Sequence, residues 1–344
     1  MIASTRTALV LGITSGVGGE IARALLRRGW QVRALHRGTA TPTIANAPVG
    51  RIEWVRGDAM NASDVMHAAA GVSAIVHAVN PPRYENWREL VIPMLRNTVA
   101  AARATRARIL FPGTIYNFGV DAFPLLREDS PQQPTTRKGS IRVEMEQLLA
   151  NAARDGVRTL IVRAGDFFGA NAGSSWLSQG LIGAGKPVRR VWYPGRFDAG
   201  HAWAYLPDLA ETFCRLLDLD AQLADFDVYH FRGHYFERGV AMAEAVCDVA
   251  RIPRSRVHRF PWWATTLAAP FVKVFGEMQE LRYLWRETVE LDNRKLLAAI
   301  GEETHTPLHA ALQITLEGLG CLPAPAATTN RHRPLSDSNR PARP

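Results

Sequence analysis

The residues best suited to chemistry lie near the start of the chain, in the run Leu11-Gly12-Ile13-Thr14-Ser15-Gly16-Val17-Gly18-Gly19. In such a turn Gly12 permits a sharp bend, Gly16 lets the backbone approach a pyrophosphate, and Gly18 lets a helix pack closely on a strand. A helix that begins there offers free N–H groups and a positive dipole to phosphate oxygens. This spacing predicts a dinucleotide-binding turn with contacts at Gly12, Thr14, Ser15, Gly16, Val17 and Gly18.

A second set of candidate contacts follows the next apolar run, where His36 and Arg37 stand. Sites that prefer NAD usually carry an acidic residue there, which binds the ribose 2′-hydroxyl. Here the first carboxylate after this position is Glu53. Arg37 could instead pair with a 2′-phosphate through charge-assisted hydrogen bonds. The sequence therefore favours NADP(H) over NAD(H), with a solvated surface arginine as the alternative interpretation.

The elements that must position these residues alternate between β-branched runs and amphipathic stretches, a pattern typical of a parallel sheet flanked by helices. Strands are predicted at 8–11, 31–36, 52–56, 74–78, 108–111 and 159–163, and helices at 17–28, 62–70, 87–105 and 140–154. We therefore predict an α/β fold with a Rossmann-type doubly wound parallel sheet in residues 1–165. Residues 166–322 should form mainly a smaller C-terminal substrate-binding cap with interleaved Rossmann elements, and residues 323–344 a disordered tail.

These motifs together resemble those of the extended short-chain dehydrogenase/reductase superfamily, the NAD(P)-dependent epimerase/dehydratase group. The resemblance covers residues 7–322, although Ser15 stands where extended members usually carry the middle glycine of the turn. It rests further on Gly57-Asp58-Ala59-Met60, His77-Ala78-Val79-Asn80, Phe111–Gly119, Arg163–Gly169, Leu206-Pro207-Asp208 and Thr306-Pro307-Leu308. The resemblance implies that Asp58 and Ala59 lie at the adenine, and that the backbone of Ala78, Val79 and Asn80 passes the cofactor.

The catalytic motif of that superfamily is altered in this chain. The resemblance implies that Thr114 takes the role of the catalytic Ser or Thr. Relatives then carry Tyr-x-x-x-Lys on the next helix, but here Lys138 occupies the tyrosine position and Arg142 the lysine position, one helical turn along the same face. Arg142 could still bind a ribose, whereas Lys138 could relay a proton only with a pKa well below about 10.

Tyr116 is the tyrosine nearest to the expected active site in the sequence, two residues after Thr114. If the fifth strand extends that far, the two side chains share a face. Tyr116 is therefore a candidate for a relocated acid, and the alternative is an aromatic residue that only lines the pocket.

The cap carries aromatic residues where the loops of relatives meet the substrate. Those at Trp176, Trp192, His201 and Trp203, together with Asn80, are candidates to line a substrate site, with burial in the core as the alternative. Between Trp262 and Trp285, apolar residues at helical spacing indicate a buried helix pair, with an apolar substrate channel or a membrane-surface contact as alternatives.

Composition excludes several other functions. The net charge of +9 is the balance of 41 basic residues, only four of them lysine, against 32 acidic ones. No basic run or nucleic-acid motif concentrates the basic residues, so we expect no nucleic-acid partner. His230 and His234 lack a third ligand in clear register, so we expect no metal site. Cys214, Cys247 and Cys321 suggest reduced thiols in the cytoplasm, and no apolar stretch reaches the roughly 20 residues of a spanning helix.

Two functions fit these observations. The first is an NAD(P)-dependent oxidoreductase or epimerase-like enzyme that transfers hydride between the cofactor and a small carbonyl or hydroxyl compound. The second is a non-catalytic NADP(H)-binding sensor or regulatory protein, which the altered Tyr-x-x-x-Lys motif favours. The resemblance also makes a homodimer, built on two long helices that flank the sheet, a possible assembly.

Overall fold

The computed structural model describes residues 6–38, 51–81, 87–173, 175–269 and 273–322. The strands, numbered in chain order, are β1 (Thr7–Leu11), β2 (Gln31–His36), β3 (Ile52–Arg56), β4 (Ala74–His77), β5 (Arg108–Thr114), β6 (Leu125–Leu126), β7 (Thr159–Ala164), β8 (Asp166–Phe168), β9 (Val191–Tyr193), β10 (His201–Tyr205), β11 (Phe226–Phe231), β12 (His234–Phe236), β13 (Val257–Arg259) and β14 (Glu290–Leu291). The helices are α1 (Gly16–Arg27), α2 (Ala62–Ala68), α3 (Trp87–Thr105), α4 (Arg137–Arg154), α5 (Leu206–Asp218), α6 (Ala241–Val249), α7 (Trp262–Ala268), α8 (Lys273–Glu280), α9 (Arg294–Ile300) and α10 (Leu308–Gly318).

A parallel sheet of seven strands forms the centre of the described structure. Its strand order is β11-β7-β5-β4-β1-β2-β3, so the chain winds outward in both directions from β1. The point between β1 and β4 is where the winding reverses, and ligands bind at the carboxyl ends of the strands there. The prediction of a doubly wound Rossmann-type sheet is confirmed.

Alternating side chains on each strand supply two separate cores. On β1, Ala8 and Val10 pack on one face of the sheet, and Leu9 and Leu11 pack on the other. Both faces are apolar because helices cover both, as is usual for parallel sheets. Helices α1 and α5 cover the first face, and α2, α3 and α4 cover the second.

The second half of the chain contributes to the sheet and also builds a cap at one end. Strand β11 pairs with β7 at the sheet edge, in register from Phe226 opposite Thr159 to Phe231 opposite Ala164. The cap holds a sheet ordered β12-β10-β8 and a parallel pair of β9 with β13. Helices α6 and α10 pack with these strands around a third core.

Most predicted elements form, with differences at their ends. Strand β5 continues to Thr114, three residues past its predicted end. The stretch from Trp262 to Trp285 contains α7, α8 and a 3₁₀ turn over Arg282–Trp285. Residues 270–272, and the tail predicted to be disordered, lie outside the described residues. Among the described helices, none is long and apolar enough to cross a membrane.

Candidate active site

The glycine turn closes against the segment that follows β4. Gly12 adopts φ +88, and a Cβ placed on it would lie 2.4 Å from the carbonyl oxygen of Ala78. A Cβ on Gly18 would lie 2.3 Å from the carbonyl oxygen of Gly12, so helix α1 approaches the turn as closely as glycine allows. Both positions therefore require glycine, as the turn motif predicts.

Ser15 is the N-cap of α1 and joins the two turns. Its Oγ accepts a hydrogen bond from the N–H of Gly18 at 3.1 Å and donates to the carbonyl oxygen of Ala78 at 3.3 Å. A serine at this position satisfies one of the free N–H groups of the helix. The serine that replaces the usual middle glycine thus stabilises the start of α1.

A buried ion pair stabilises α1 below the turn. Arg23 donates to Glu20 through Nε at 3.0 Å and Nη2 at 2.8 Å, and Asn171 Nδ2 donates to the same carboxylate at 2.9 Å. The Asn171 carbonyl oxygen would lie 3.0 Å from a Cβ on Gly16. Asn171, which the sequence analysis did not identify, therefore connects the cap to the turn.

The ends of β2 and β3 form the far side of the site. His36 contacts the Trp54 ring edge-on at a centroid distance of 5.3 Å. Its Nδ1 is buried, and no group in the described part of the chain hydrogen-bonds to it. Arg37 is exposed beside it. Asp58 Oδ1 accepts from the N–H of Met60 at 2.9 Å and so shapes the turn after β3.

His77 closes β4 and is buried. Its Nδ1 lies 2.8 Å from Thr98 Oγ1, and that hydroxyl donates to the Met94 carbonyl at 3.1 Å. This assignment makes Nδ1 the protonated nitrogen and leaves Nε2 as an acceptor. Burial and the nearby Arg142 guanidinium lower the pKa of His77 to about 3, so the ring is neutral. Asn80 Oδ1 accepts from Trp87 Nε1 at 2.8 Å, which fixes the following turn.

These turns surround a cavity of about 900 Å³ at the carboxyl ends of the strands. Its lining contains the residues predicted to contact a cofactor, apart from Gly18, which packs behind the turn: Gly12, Thr14, Ser15, Gly16, Val17, His36, Arg37, Asp58, Ala59, Ala78, Val79, Asn80 and Arg142. Residues far apart in the sequence thus meet in one continuous space.

The opposite end of the cavity lies beyond β5. Thr114 and Tyr116 both line it, although β5 ends at Thr114, so the two side chains do not share a strand face. Thr114 Oγ1 accepts from the N–H of Tyr116 at 3.3 Å and lies 3.5 Å from Asn117 Oδ1. A turn, and not an extended strand, brings Thr114 and Tyr116 to the same space.

Helix α4 presents one of its two predicted residues to the cavity. Arg142 lines the cavity, and its Cζ lies 5.1 Å from the Trp87 ring centroid and 5.7 Å from that of Phe111. Lys138 is buried at the start of the helix, where its N–H donates to Glu280 Oε1 at 3.0 Å. Lys138 is not among the described lining residues.

A buried ion pair joins helix α4 to strand β7. Arg163 donates to Glu146 through Nε at 3.1 Å and Nη2 at 2.6 Å, and both side chains are almost fully buried. Arg163 Nη1 also lies 3.2 Å from His230 Nε2, while His230 Nδ1 lies 3.2 Å from the Leu126 carbonyl oxygen. Burial, with Arg163, lowers the pKa of His230 to about 3. The neutral imidazole is therefore a structural partner of Arg163, and the described residues contain no cluster able to hold a metal ion.

The residues predicted to line a substrate site, Asn80 and four residues of the cap, separate into two groups. Asn80 and Trp176 line the cavity. Trp203 is fully buried in the core of the cap, and Trp192 contacts His258 at a ring-centroid distance of 5.3 Å. His201 is also buried behind the wall, so Trp192, His201 and Trp203 are not among the described lining residues.

His201 nevertheless contacts a cavity residue that the sequence analysis missed. Its Nε2 lies 2.8 Å from Oδ2 of Asp166, and Asp166 lines the cavity. Asp166 falls inside the segment Arg163–Gly169 that carried part of the resemblance, and this position was the available signal. The pairing with His201 comes from β8 lying beside β10.

Comparisons with known proteins agree with this architecture. Sterol-4-alpha-carboxylate 3-dehydrogenase, decarboxylating, of Mus musculus is 31% identical over 91 residues, which are 26% of this chain and 23% of that protein. The chain therefore spans less than a quarter of the length of that curated relative.

Solved structures match over most of the chain, at identities that establish the fold alone. The enzyme WbmH of Bordetella bronchiseptica in complex with NAD+ superimposes with a TM-score of 0.66 at 17% identity, covering 91% of this chain and 98% of that one. DesIV, a dTDP-glucose 4,6-dehydratase of Streptomyces venezuelae with NAD and TYD bound, gives a TM-score of 0.70 at 18% identity, covering 91% and 96%. The family model described as NAD dependent epimerase/dehydratase family matches residues 8–230, more than half of the chain. The chain therefore belongs to the NAD dependent epimerase/dehydratase family.

Proposed function

We propose that the protein is an NADP(H)-dependent oxidoreductase, or an epimerase-like enzyme that retains its cofactor, acting on a small carbonyl or hydroxyl compound. One observation carries the proposal: a single cavity is lined by the glycine turn at one end and by Thr114, Tyr116 and Arg142 at the other. A cofactor held on the turn would extend toward groups able to bind and protonate a reacting oxygen.

The lining suits a dinucleotide. The turn around Gly12 is tight enough that a methyl group would collide with the Ala78 backbone, so glycine is what lets the turns after β1 and β4 lie against each other. A pyrophosphate would be held on this turn, at the start of α1. The buried, unpaired Nδ1 of His36 and the exposed guanidinium of Arg37 lie where the adenosine ribose would be held. Arg37 would pair with a 2′-phosphate. Asp58 and Ala59 would lie against the adenine.

Each catalytic group has a role that its position supports. The nicotinamide, when bound, supplies or accepts a hydride. The Thr114 hydroxyl would hydrogen-bond to the reacting oxygen, and the Tyr116 hydroxyl would exchange its proton with that oxygen. Arg142 would hold the nicotinamide ribose, because its guanidinium reaches the cavity across the Trp87 and Phe111 rings.

Lys138 is the alternative proton donor. It occupies the position of the family tyrosine, but it is buried at the start of α4 and outside the described cavity lining. Tyr116 lines the cavity directly, and this difference favours Tyr116.

A non-catalytic NADP(H)-binding sensor is the second candidate. The observation that favours it is the replacement of the family Tyr-x-x-x-Lys pair by Lys138 and Arg142. The retained Thr114 and the cavity beyond it favour the enzyme, because a sensor needs no space for a substrate.

Turnover separates the two candidates. The purified protein would be incubated with NADPH and a panel of ketones and aldehydes, and NADPH consumption would be followed by absorbance. The enzyme predicts consumption that depends on one class of carbonyl compound and falls in a Thr114→Val variant that still binds NADPH. NADPH binding with no consumption on any carbonyl compound, no oxidation of the corresponding alcohols by NADP+ and no epimer formed from those alcohols would favour the sensor.

Location and assembly are further parts of the proposal. Cys214, Cys247 and Cys321 are buried free thiols, which suits the reducing cytoplasm. The long helices α3 and α4 lie together on one face of the sheet and could form a homodimer interface. Light scattering on the protein as it elutes from a size-exclusion column measures its mass in solution. A monomer at all concentrations would contradict the proposed homodimer.

A further inference from the structure

We propose that the Asp166 carboxyl group, held in place by His201, recognises a hydroxyl group of the substrate and disfavours substrates that carry phosphate at this position. The inference rests on the proposed function, because it treats the cavity beyond Thr114 as the substrate site. It goes further by naming the substrate class as uncharged and hydroxylated.

Asp166 lies at the substrate end of the cavity. Strands β5 and β7 pair with Thr114 opposite Ala164. Asp166 and Tyr116 therefore both stand two residues beyond this matched pair, and both line the cavity. Arg37 lies at the other end, after β2 on the far side of β1. Asp166 is thus beside the proposed catalytic groups and remote from the 2′-phosphate site.

His201 fixes the orientation of the carboxyl group. Its Nε2 donates to Asp166 Oδ2 at 2.8 Å, and the imidazole is 2% exposed. The ring stacks on Trp285 at a centroid distance of 4.1 Å and contacts Trp203 edge-on at 5.4 Å. Tryptophan rings on two sides restrict the His201 ring, so its hydrogen bond orients the carboxyl group in advance of binding.

The second carboxyl oxygen is available to a ligand. In the described part of the chain, the hydrogen bond from His201 to Oδ2 is the one that Asp166 receives, and Oδ1 is not among the buried unpaired atoms. The Asp166 side chain is nevertheless only 10% exposed. An acceptor so poorly hydrated gains from a donor that the substrate brings, and a hydroxyl group supplies one.

Charge selects against phosphate at this place. The cations among the described lining residues are Arg37 and Arg142. Arg37 lies at the adenosine end, and Arg142 lies against the Trp87 and Phe111 rings on the α3 and α4 side. Apart from the His201 imidazole, no described basic side chain contacts Asp166, so no arginine or lysine there would offset the charge of a phosphate beside the carboxyl group. A neutral hydroxylated carbonyl compound, or the corresponding alcohol, avoids this repulsion.

The first test compares pairs of carbonyl compounds that differ by one hydroxyl group, using NADPH and the full-length protein. Wild type should favour the hydroxylated member in kcat/KM by about 10- to 100-fold. Asp166→Ala should abolish that preference, and Asp166→Asn, which keeps an acceptor oxygen, should retain part of it. An unchanged preference in Asp166→Ala would overturn the inference.

The second test needs no turnover. UDP is titrated by calorimetry into the protein saturated with NADP+, for wild type and Asp166→Asn. Removing the charge should tighten UDP binding by about 10-fold or more. Equal UDP affinity in the two proteins, or no measurable binding to either, would count against the proposed charge selection.

His201 is a positioning residue, and its role has a separate readout. His201→Gln keeps an N–H donor and should preserve the hydroxyl preference, whereas His201→Phe keeps the ring stack and should lose it. Equal preference in both variants would show that His201 only packs. NADPH binding is measured in every protein: its absence from wild type would overturn the proposed function, whereas normal NADPH binding with unchanged selectivity would overturn this inference alone.

Discussion

A Cβ added to Gly12 would lie 2.4 Å from the carbonyl oxygen of Ala78, so the turn after β1 and the turn after β4 are in backbone contact. The N–H of Ala78 also donates to the Leu11 carbonyl oxygen at 2.9 Å. The two walls of the proposed cofactor site are therefore positioned by each other as well as by the sheet.

This contact makes Gly12→Ala a sharp test of the turn. The new methyl group would collide with backbone and would also force alanine into φ +88, so we expect a loss of about 2 to 5 kcal/mol in the free energy of unfolding. NADPH affinity should fall at least about tenfold because the turn must shift. The measurements are urea unfolding and NADPH titration.

Gly29→Ala is the matched control. Gly29 has φ +82, and a Cβ there has no atom within 4 Å among the described residues. Strain alone should cost about 1 to 2 kcal/mol, with NADPH affinity unchanged. If the two variants bind NADPH equally well, the contact with Ala78 is not part of the cofactor site.

Tyr116→Phe tests the proposed proton donor. Loss of the hydroxyl should lower kcat by about 100-fold or more, with little change in the dissociation constant for NADPH. Tyr235→Phe is the control, because Tyr235 packs on the same apolar cluster as Tyr116 and is not in the described cavity lining. Full activity in Tyr116→Phe would mean that the aromatic ring only lines the pocket. Lys138 would then be the candidate proton donor.

The ion pair between Glu146 and Arg163 should dominate the stability of the region behind β5. Glu146→Ala would leave the 2% exposed Arg163 guanidinium without its carboxylate, and we expect a loss of about 3 to 5 kcal/mol in urea unfolding. Asp155→Ala, which breaks the exposed pair with Arg103, should change stability little. Similar losses of unfolding free energy in the two variants would mean that burial does not raise the contribution of the pair between Glu146 and Arg163 to stability.

Two buried histidines should make the protein less stable in mild acid. Burial lowers the pKa of His77 and His230 to about 3, whereas unfolded histidine titrates near about 6.5. Below about pH 6.5 the unfolded chain takes up protons that the folded chain refuses, so stability falls progressively as the pH drops toward 3. At pH 5 each histidine should cost about 2 kcal/mol relative to pH 7.

A single substitution isolates this effect. In His77→Gln the decline in unfolding free energy from pH 7 to pH 5 should be smaller than in wild type by about 2 kcal/mol. His67→Gln, which changes an exposed histidine on α2, should leave the decline as it is. A decline of wild-type size in His77→Gln would mean that His77 is protonated in the folded protein.

The sheet could be predicted from the sequence because its signals are local. Short apolar runs and helical spacing predicted every strand of the central sheet as far as β7, and the glycine turn predicted where β1 meets α1. The end of β5 was harder to predict from the sequence, because Pro112 and Gly113 are poor strand residues that the neighbouring β7 holds in register. The position of Tyr116 depends on that end.

The substrate end of the site depended on contacts that no local pattern reports. Trp176 and Trp203 are aromatic residues of one segment, yet one lines the cavity and the other is buried in the core of the cap. The pairing of His201 with Asp166 joins residues 35 positions apart through a small sheet in the cap. Composition and spacing do not distinguish these outcomes, because they follow from how the cap folds onto the sheet.

Binding of NADP(H) in the cavity is tested most directly by fluorescence titration of the wild-type protein and Arg37→Ala with NADPH and with NADH. Wild type should bind NADPH at least about tenfold more tightly than NADH, and Arg37→Ala should lose that preference while binding NADH as before. Arg103→Ala, at an exposed arginine on α3, should behave as wild type. If neither nucleotide binds at sub-millimolar concentration, the cavity is not a dinucleotide site, and a preference for NADPH that survives in Arg37→Ala would mean that Arg37 does not bind the 2′-phosphate.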